Sequence, residues 1–510
     1  MSQIIDMNDD IVNSIREIYR IATPSNLRSL IEKHFIPTKD EKKRNAEIPT
    51  PVKLVDDMLS KIPTDYWTDI HTTFEPCCGK GNFVLGIFDM FFNGLEKKIP
   101  NPVKRCRAII TKCIYFADLT NLNVFITTEI LKCHIENKSG SRVNYEFNSN
   151  VGDTLTLDIE DKWGLEGFDA AIGNPPFEEI DEETGESKGG TNLYTKFINY
   201  NINKINSNGY LLLINPISWI GPSTNKQSGN DLLHNVFLKY DLLYLNLNEC
   251  KKYFKEGSTF CFYLINKKIT DDCITNVISK HKNEISTSKI NFKNYKKMKF
   301  LPIHITEETI DLVNGVINKK NKLKISRSRK LDTSTKYGKE HLSLIENEKF
   351  KYITYHTTTK TYYSDIKLEN FNNSKILLNM SGNLNPIIVD NCNITESKFY
   401  IELQKEDDKK LMNIFKNNNI KKYLELCKYS GFNSRIVLEN ITYNLDDLED
   451  ILEDDIEEKP VLQTKDKKKI TKKDENKKYT VPELRNLLKE KGIKGYSKLK
   501  KQELIDLLEK

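Results

Sequence analysis

An α/β fold, with a mostly parallel sheet covered by helices on both faces, is predicted by three features of the chain. From Thr50 to Asn266, apolar runs of strand length alternate with helical patterns. Phe74-Glu75-Pro76-Cys77-Cys78-Gly79-Lys80-Gly81-Asn82-Phe83 reads as a strand end, a tight turn and a helix start. Phe168 to Gly173 is an apolar strand running into Asn174-Pro175-Pro176-Phe177, where two prolines forbid continuation as strand or helix. Open α/β sheets bind their ligands at loops of this kind, at the carboxyl ends of strands.

The bounds are those of an intracellular protein of two or three domains, since 510 residues suffice for several cores. No apolar run approaches the ~20 residues of a membrane span. The start Met1-Ser2-Gln3-Ile4-Ile5-Asp6 lacks a basic stretch followed by an apolar core, so no signal peptide is expected. None of the 10 cysteines falls in a Cys-x-x-Cys pair and none of the 8 histidines in His-x-x-x-His, which argues against zinc and any other metal centre. The net charge of +6 is modest, and its distribution is more informative than its sum.

Taken in order, residues 1–45 read as a helical extension, with Ile11, Ile15, Ile18 and Tyr19 near helical spacing. Thr50-Pro51 precedes a short helix carrying Leu54, Val55 and Met58, with Thr50 expected as its cap and Pro51 in its first turn. Gly79 and Gly81 let the backbone turn tightly and approach a ligand closely. The Gly-Lys-Ser/Thr ending of a phosphate loop is absent. Glu75 adds an acid at the strand tip, suited to a cationic amino group.

Ile114 to Asp118 is a second strand with an acid at its tip, a position that commonly accepts from ribose hydroxyls. Asn150-Val151-Gly152-Asp153 is a third such tip. Each acid reads equally well as a turn aspartate. Glu178 to Gly190, acidic and glycine-rich, is expected to be a mobile loop. Gly209 to Pro216, Tyr244 to Leu247 and Phe260 to Ile265 supply further strands.

The Asn174 loop has the chemistry to hold an exocyclic amine. The side-chain oxygen of Asn174 and the carbonyl of Pro175 both accept hydrogen bonds, and Phe177 offers a flat face. Acceptors there would draw such an amine toward tetrahedral geometry and localise its lone pair. Beyond Lys267 the pattern becomes short, Asn- and Lys-rich and aromatic-studded, read as a mixed α/β region over 267–445. Its basic run Lys322, Lys324, Arg327, Arg329 and Lys330 is a candidate phosphate contact. Residues 446–478, acidic then lysine-rich, read as a linker. Residues 479–510 read as two short amphipathic helices, with Thr480 and Glu483 at capping-box spacing and five lysines at the connection.

Asn-Pro-Pro-Phe resembles the catalytic motif of amino-methyltransferases. The order Thr50-Pro51, Phe74 to Phe83, Asp118, Asp153 and Asn174 to Phe177 resembles the gamma class of adenine-N6 DNA methyltransferases. The likeness covers roughly 46–266 and is nearest the methylase domains of type IIG restriction-modification enzymes; 479–510 resembles the SAP family of DNA-binding modules. The resemblance implies a Rossmann-like methyltransferase sheet, S-adenosylmethionine as cofactor, and target recognition by 267–445.

By motif match, Asn174, Pro175, Pro176 and Phe177 are the catalytic loop. Thr50 and Glu75 would hold the methionine end of the cofactor, with the loop Pro76, Cys77, Gly79 and Gly81. Asp118 would take its ribose and Asp153 its adenine amino group. The long gap before Asp118 departs from the pattern. Gly257-Ser258-Thr259 looks like a further family motif beside the target base. Double-stranded DNA is the implied partner, with a separately encoded restriction nuclease a further candidate because a fused nuclease would need more than the ~45 residues ahead of the methylase region. RNA adenine methylation and a non-catalytic DNA-binding scaffold are the alternatives.

Overall fold

The computed structural model describes residues 2–23, 26–35, 49–142, 146–180, 187–222, 231–254, 259–403, 408–429, 431–443, 488 and 500–508. Its first eleven strands are β1 (Thr73–Glu75), β2 (Ile114–Asp118), β3 (Asn148–Val151), β4 (Phe168–Gly173), β5 (Glu178–Ile180), β6 (Ser187–Asn192), β7 (Ile205–Pro216), β8 (Asp241–Leu247), β9 (Phe260–Asn266), β10 (Thr275–His281) and β11 (Glu284–Ile290). Nine of these form one sheet in the order β11-β10-β8-β9-β7-β4-β1-β2-β3.

The half from β3 to β7 is parallel throughout. Every residue of β1 and β2 is buried, as parallel strands covered on both faces require. β9 runs antiparallel between β7 and β8. The strand order therefore reverses between β1 and β4, which opens a crevice at their carboxyl ends. This is the doubly wound methyltransferase sheet that the sequence predicts.

Each face has its own core. On one, Phe74 stacks on Phe168 with centroids 4.7 Å apart, in a cluster that runs on through Trp219, Leu245 and Tyr263. On the other, the helix Asn82–Gly94 lays Phe83, Phe88 and Phe91 against Phe116, Ile172 and Leu212.

The structure adds detail to four readings. The sheet does not end at 266, because β10 adds to β8 in parallel and β11 closes the edge. Residues 267–445 are not a separate body either. Val313, Ile376, Tyr423 and Leu438 belong to the same core cluster as Phe74, and Met1–Leu452 is one compact unit, with Glu453–Lys510 the other. Likewise the helices Ser2–Ile21 and Leu27–His34 are docked, with Ile15, Ile18, Leu27 and Ile31 buried in the second cluster. The segment read as a mobile loop after Phe177 contains the antiparallel hairpin β5–β6, although its tip, 181–186, lies outside the described residues.

The downstream region is mixed α/β, as expected. It holds two four-stranded sheets and the helices Glu307–Asn318 and Asn418–Leu426. Lys322, read as a phosphate contact, instead donates to the carbonyls of Val316, Ile317 and Asn440, two of them in the last turn of Glu307–Asn318. A cation there satisfies carbonyls that no helical N–H reaches. Arg327 donates to the Glu396 carbonyl at 3.2 Å. Lys324, Arg329 and Lys330 are exposed. The 446–478 linker lies outside the described residues, as does the first helix expected in the tail apart from Leu488. The second tail helix is present as Lys501–Leu508, its start bonded from the Lys500 N–H to Glu503 Oε2 at 2.7 Å.

Gly94 ends the helix that carries the glycine turn, and a Cβ there would lie 2.2 Å from the buried Trp67 carbonyl oxygen. Gly94→Ala is therefore expected to cost about 1–3 kcal/mol through backbone displacement, read as a lowered chemical-denaturation midpoint.

Candidate active site

The site is built from loops at adjacent strand ends. After β1, the chain turns through Gly79 (φ 50°) and Gly81 (φ 85°), both in the left-handed region that favours glycine. At Gly81 a Cβ would also lie 3.1 Å from the Thr127 side chain. The turn is pinned from its neighbours. Asp118, at the tip of β2, accepts from the Gly79 N–H at 2.9 Å with Oδ2. Its Oδ1 accepts from the Thr120 N–H, the Thr120 hydroxyl and the Asn123 amide. Beyond β3, the Thr154 hydroxyl donates to the Pro76 carbonyl at 2.6 Å.

Glu75 lies beneath this turn, 1% exposed. Its Oε1 accepts from the Cys77 N–H at 3.2 Å, while Oε2 is buried without a hydrogen-bond partner. Its carboxyl covers Gly173, where a Cβ would come within 2.3 Å of Oε1. Burial pushes the Glu75 pKa well above the usual carboxylate range; the Cys77 N–H opposes this and the nearby Asp118 adds to it. Burial also raises the Cys77 thiol, with Asp118 and Glu75 reinforcing, so Cys77 stays protonated and is no nucleophile.

Across the switch point stands the Asn174 loop. Asn174 Nδ2 donates to Thr50 Oγ1 at 3.0 Å, which turns the amide oxygen to the opposite side. The Thr50 carbonyl in turn accepts from Asn82 Nδ2 at 2.9 Å. Thr50 was expected to cap the following helix. Pro51 holds that position and makes no side-chain cap, and the Thr50 hydroxyl bonds Asn174 instead. Phe177 packs on Phe260, with ring centroids 5.4 Å apart.

A cavity of about 950 Å³ opens between the two loops. Thr50, Cys77, Gly79, Asp118 and Asn174 through Phe177 all line it. Glu75, Pro76 and Gly81 are not among the lining residues. Asp153 is not among the lining residues. It is exposed, and its Oδ1 accepts from the Leu155 N–H at 2.9 Å, capping a turn. Thr259 lines the cavity, whereas Gly257 and Ser258 lie outside the described residues.

Three groups of lining residues were not foreseen. Leu119, 67% exposed, follows Asp118. Ile217 and Ser218 follow β7, and the strand order that places β7 beside β4 would have pointed to them. Tyr429, Phe432 and Ser434 arrive from the downstream region, with only a Gly-aromatic pair at 431–432 to mark them in the sequence.

An S-adenosylmethionine-like group fits this arrangement. The orphaned Glu75 oxygen adjoins a turn built of left-handed glycines, and an exposed apolar side chain follows an acid at the next strand tip.

Comparison with known proteins agrees with the geometry. Residues 112–241 match the family model described as Eco57I restriction-modification methylase. The type IIL restriction-modification enzyme MmeI, solved in complex with DNA, is similar in fold, with a TM-score of 0.52 at 12% identity over 81% of this chain and 70% of that one. DrdV, solved by cryoEM as a DNA complex, has a TM-score of 0.50 at 11% identity, covering 85% of this chain but only 59% of its own. No curated protein matches the chain. Residues 477–510 match the model described as Rho termination factor, N-terminal domain, a different family from the SAP-like module expected there.

The raised Glu75 pKa has a signed consequence. The folded state binds this proton more tightly than the unfolded one, so stability falls as pH rises through and above the ordinary carboxylate value of 4.5. Glu75→Gln removes that slope. Without cofactor, the variant is expected to melt higher than the native protein near pH 7 and to converge with it near pH 4, as read by thermal midpoints across that range.

Proposed function

We propose that the protein is an S-adenosylmethionine-dependent DNA methyltransferase acting on N6 of adenine. The observation that carries this reading is the join at Thr50. One residue bonds Asn174 through its hydroxyl and the glycine-turn residue Asn82 through its carbonyl, and both loops face one cavity. Such a join fixes an acceptor loop against a cofactor turn, which is what transfer by positioning needs.

Thr50, the turn from Cys77 to Gly81, Glu75 and Asp118 would hold the cofactor, which supplies an electrophilic methyl group. The chain's own part is recognition and orientation. Asn174 Oδ1 and the Pro175 carbonyl accept from the two N–H bonds of the adenine amine, drawing its lone pair out of conjugation. Pro175 and Pro176 keep those acceptors from moving. Phe177, held by Phe260, stacks on the base. Because the amine is inaccessible within a duplex, the adenine must be flipped out of double-stranded DNA. The exposed Lys324, Arg329 and Lys330 are suited to phosphates, so 267–445 is assigned target recognition. Asp153, on an exposed turn, has the weakest support as an adenine contact.

The test is transfer from radiolabelled S-adenosylmethionine to duplex DNA, RNA and protein in parallel. N6-methyladenine in DNA is expected, and label in RNA alone or protein alone would overturn the substrate assignment. Asn174→Ala should abolish transfer while cofactor binding, followed by calorimetry, stays within a few-fold. Thr50→Val should lower kcat by about 100-fold, because loss of one anchoring bond misplaces the acceptor by a fraction of an ångström. Thr50→Ser should restore most of it.

A further inference from the structure

We infer that Phe432 is a wedge that enters the base stack and holds open the space left by the flipped adenine. This rests on the reading of the site given above. Of the large apolar side chains exposed among the described residues, only Leu119 and Phe432 line the cavity. Leu119 belongs to the cofactor side, directly after Asp118. Phe432 is 59% exposed and comes from the downstream region, so it stands at the rim and not against the floor.

A single exposed aromatic is ordinary on a protein surface. The turn that carries this one is unusually well fixed. Gly431 adopts φ 78° just before it. Immediately after it, the Asn433 N–H donates to the Met380 carbonyl at 2.7 Å and Asn433 Nδ2 to the Asn379 carbonyl at 2.8 Å. Phe432 itself forms an isolated bridge with Ser381. Upstream, the Tyr429 hydroxyl donates to the Leu301 carbonyl at 2.6 Å, and Lys428 Nζ reaches the Gly382 carbonyl at 2.6 Å.

The backbone is thus tied on both sides of a ring that is itself left in solvent. The turn thus holds the attachment point of the ring at the cavity, where the ring is 59% exposed. The inner wall already has its stacking face in Phe177, packed on Phe260. A flat apolar group at the mouth is placed to meet the duplex from which the base departs. Apolar side chains inserted between base steps replace lost stacking in this manner. Phe432 is therefore a positioning residue that shifts the flipping equilibrium, with no part in activating the amine.

The experiment uses the full chain and two duplexes containing the methylated sequence mapped by the transfer assay. In one the target adenine is paired with thymine; in the other it faces an abasic position, which removes most of the cost of flipping. Phe432→Ala is expected to slow single-turnover methylation of the paired duplex by about 10-fold or more and to stay within about 3-fold of the native protein on the abasic duplex. Phe432→Trp should recover most of the rate on the paired duplex. Equal losses on both duplexes would overturn the wedge and make Phe432 a contact to the base inside the cavity. No loss on either would overturn any role in flipping. Absence of any methylated sequence in the preceding transfer assay would instead overturn the reading of the site, an outcome separable from both because it does not depend on the variant. Unchanged cofactor affinity and melting temperature in Phe432→Ala show that the cofactor site and fold are intact.

Discussion

The site depends on the close fit of one carboxyl against one glycine. β1 and β4 are parallel neighbours at the point where the strand order reverses, and Glu75 at the end of β1 fills the space over Gly173 at the end of β4. Any side chain at 173 would have to displace it. The strand must therefore end in glycine, and the acceptor loop starts on the next residue. Holding a carboxyl there without a partner for one oxygen opposes folding, since burial favours its neutral form. Such a local cost is common where a site awaits a charged ligand.

Around that contact, the loops are fixed by side chains that reach across strand ends. Asp118 holds the glycine turn by its backbone, and Thr154 holds it at Pro76. Asp118 is consequently both wall and brace: most of its acceptor capacity is committed within the protein, and a ribose contact would share what remains on Oδ2. Thr50 has a similar double character. Its hydroxyl accepts from Asn174, so a residue expected to cap a helix and, by resemblance, to hold the cofactor anchors the Asn174 loop.

The central strands were legible because burial on both faces leaves a simple record. Ile114–Asp118 is an apolar run ended by an acid and Phe168–Gly173 one broken only at Asp169 and ended by glycine before the prolines, and both appear with the expected bounds. The hairpin β10–β11 left no such record. Its residues are largely Ser, Thr, Lys and Asn, its outer strand is mostly exposed, and its pairing depends on an edge that only the assembled sheet provides. The hairpin after Phe177 was hidden for a related reason, since glycine-rich polar sequence has little β preference of its own. Composition misled at Lys322, where a lysine in a basic run serves helix-end carbonyls. Among the site residues, those next to strand tips were readable from local pattern. Tyr429 and Phe432 were not, because they reach the cavity only through the packing of a distant segment.

That packing ties the downstream region to the cavity. The core under the catalytic sheet continues without a break into the downstream region, and the Tyr429 ring lies against Gly221, where a Cβ would stand 3.3 Å from it. The Tyr429 hydroxyl is bonded to Leu301, just beyond the sheet. The rim of the cavity is therefore positioned by the same close-packed interior as its floor, and close-packed interiors transmit displacement instead of absorbing it. Substitutions at the exposed Lys324 or Arg329 leave that interior unchanged. Replacement of the whole downstream region would cut through Val313, Ile376 and Tyr423, and so would disturb the geometry at Asn174.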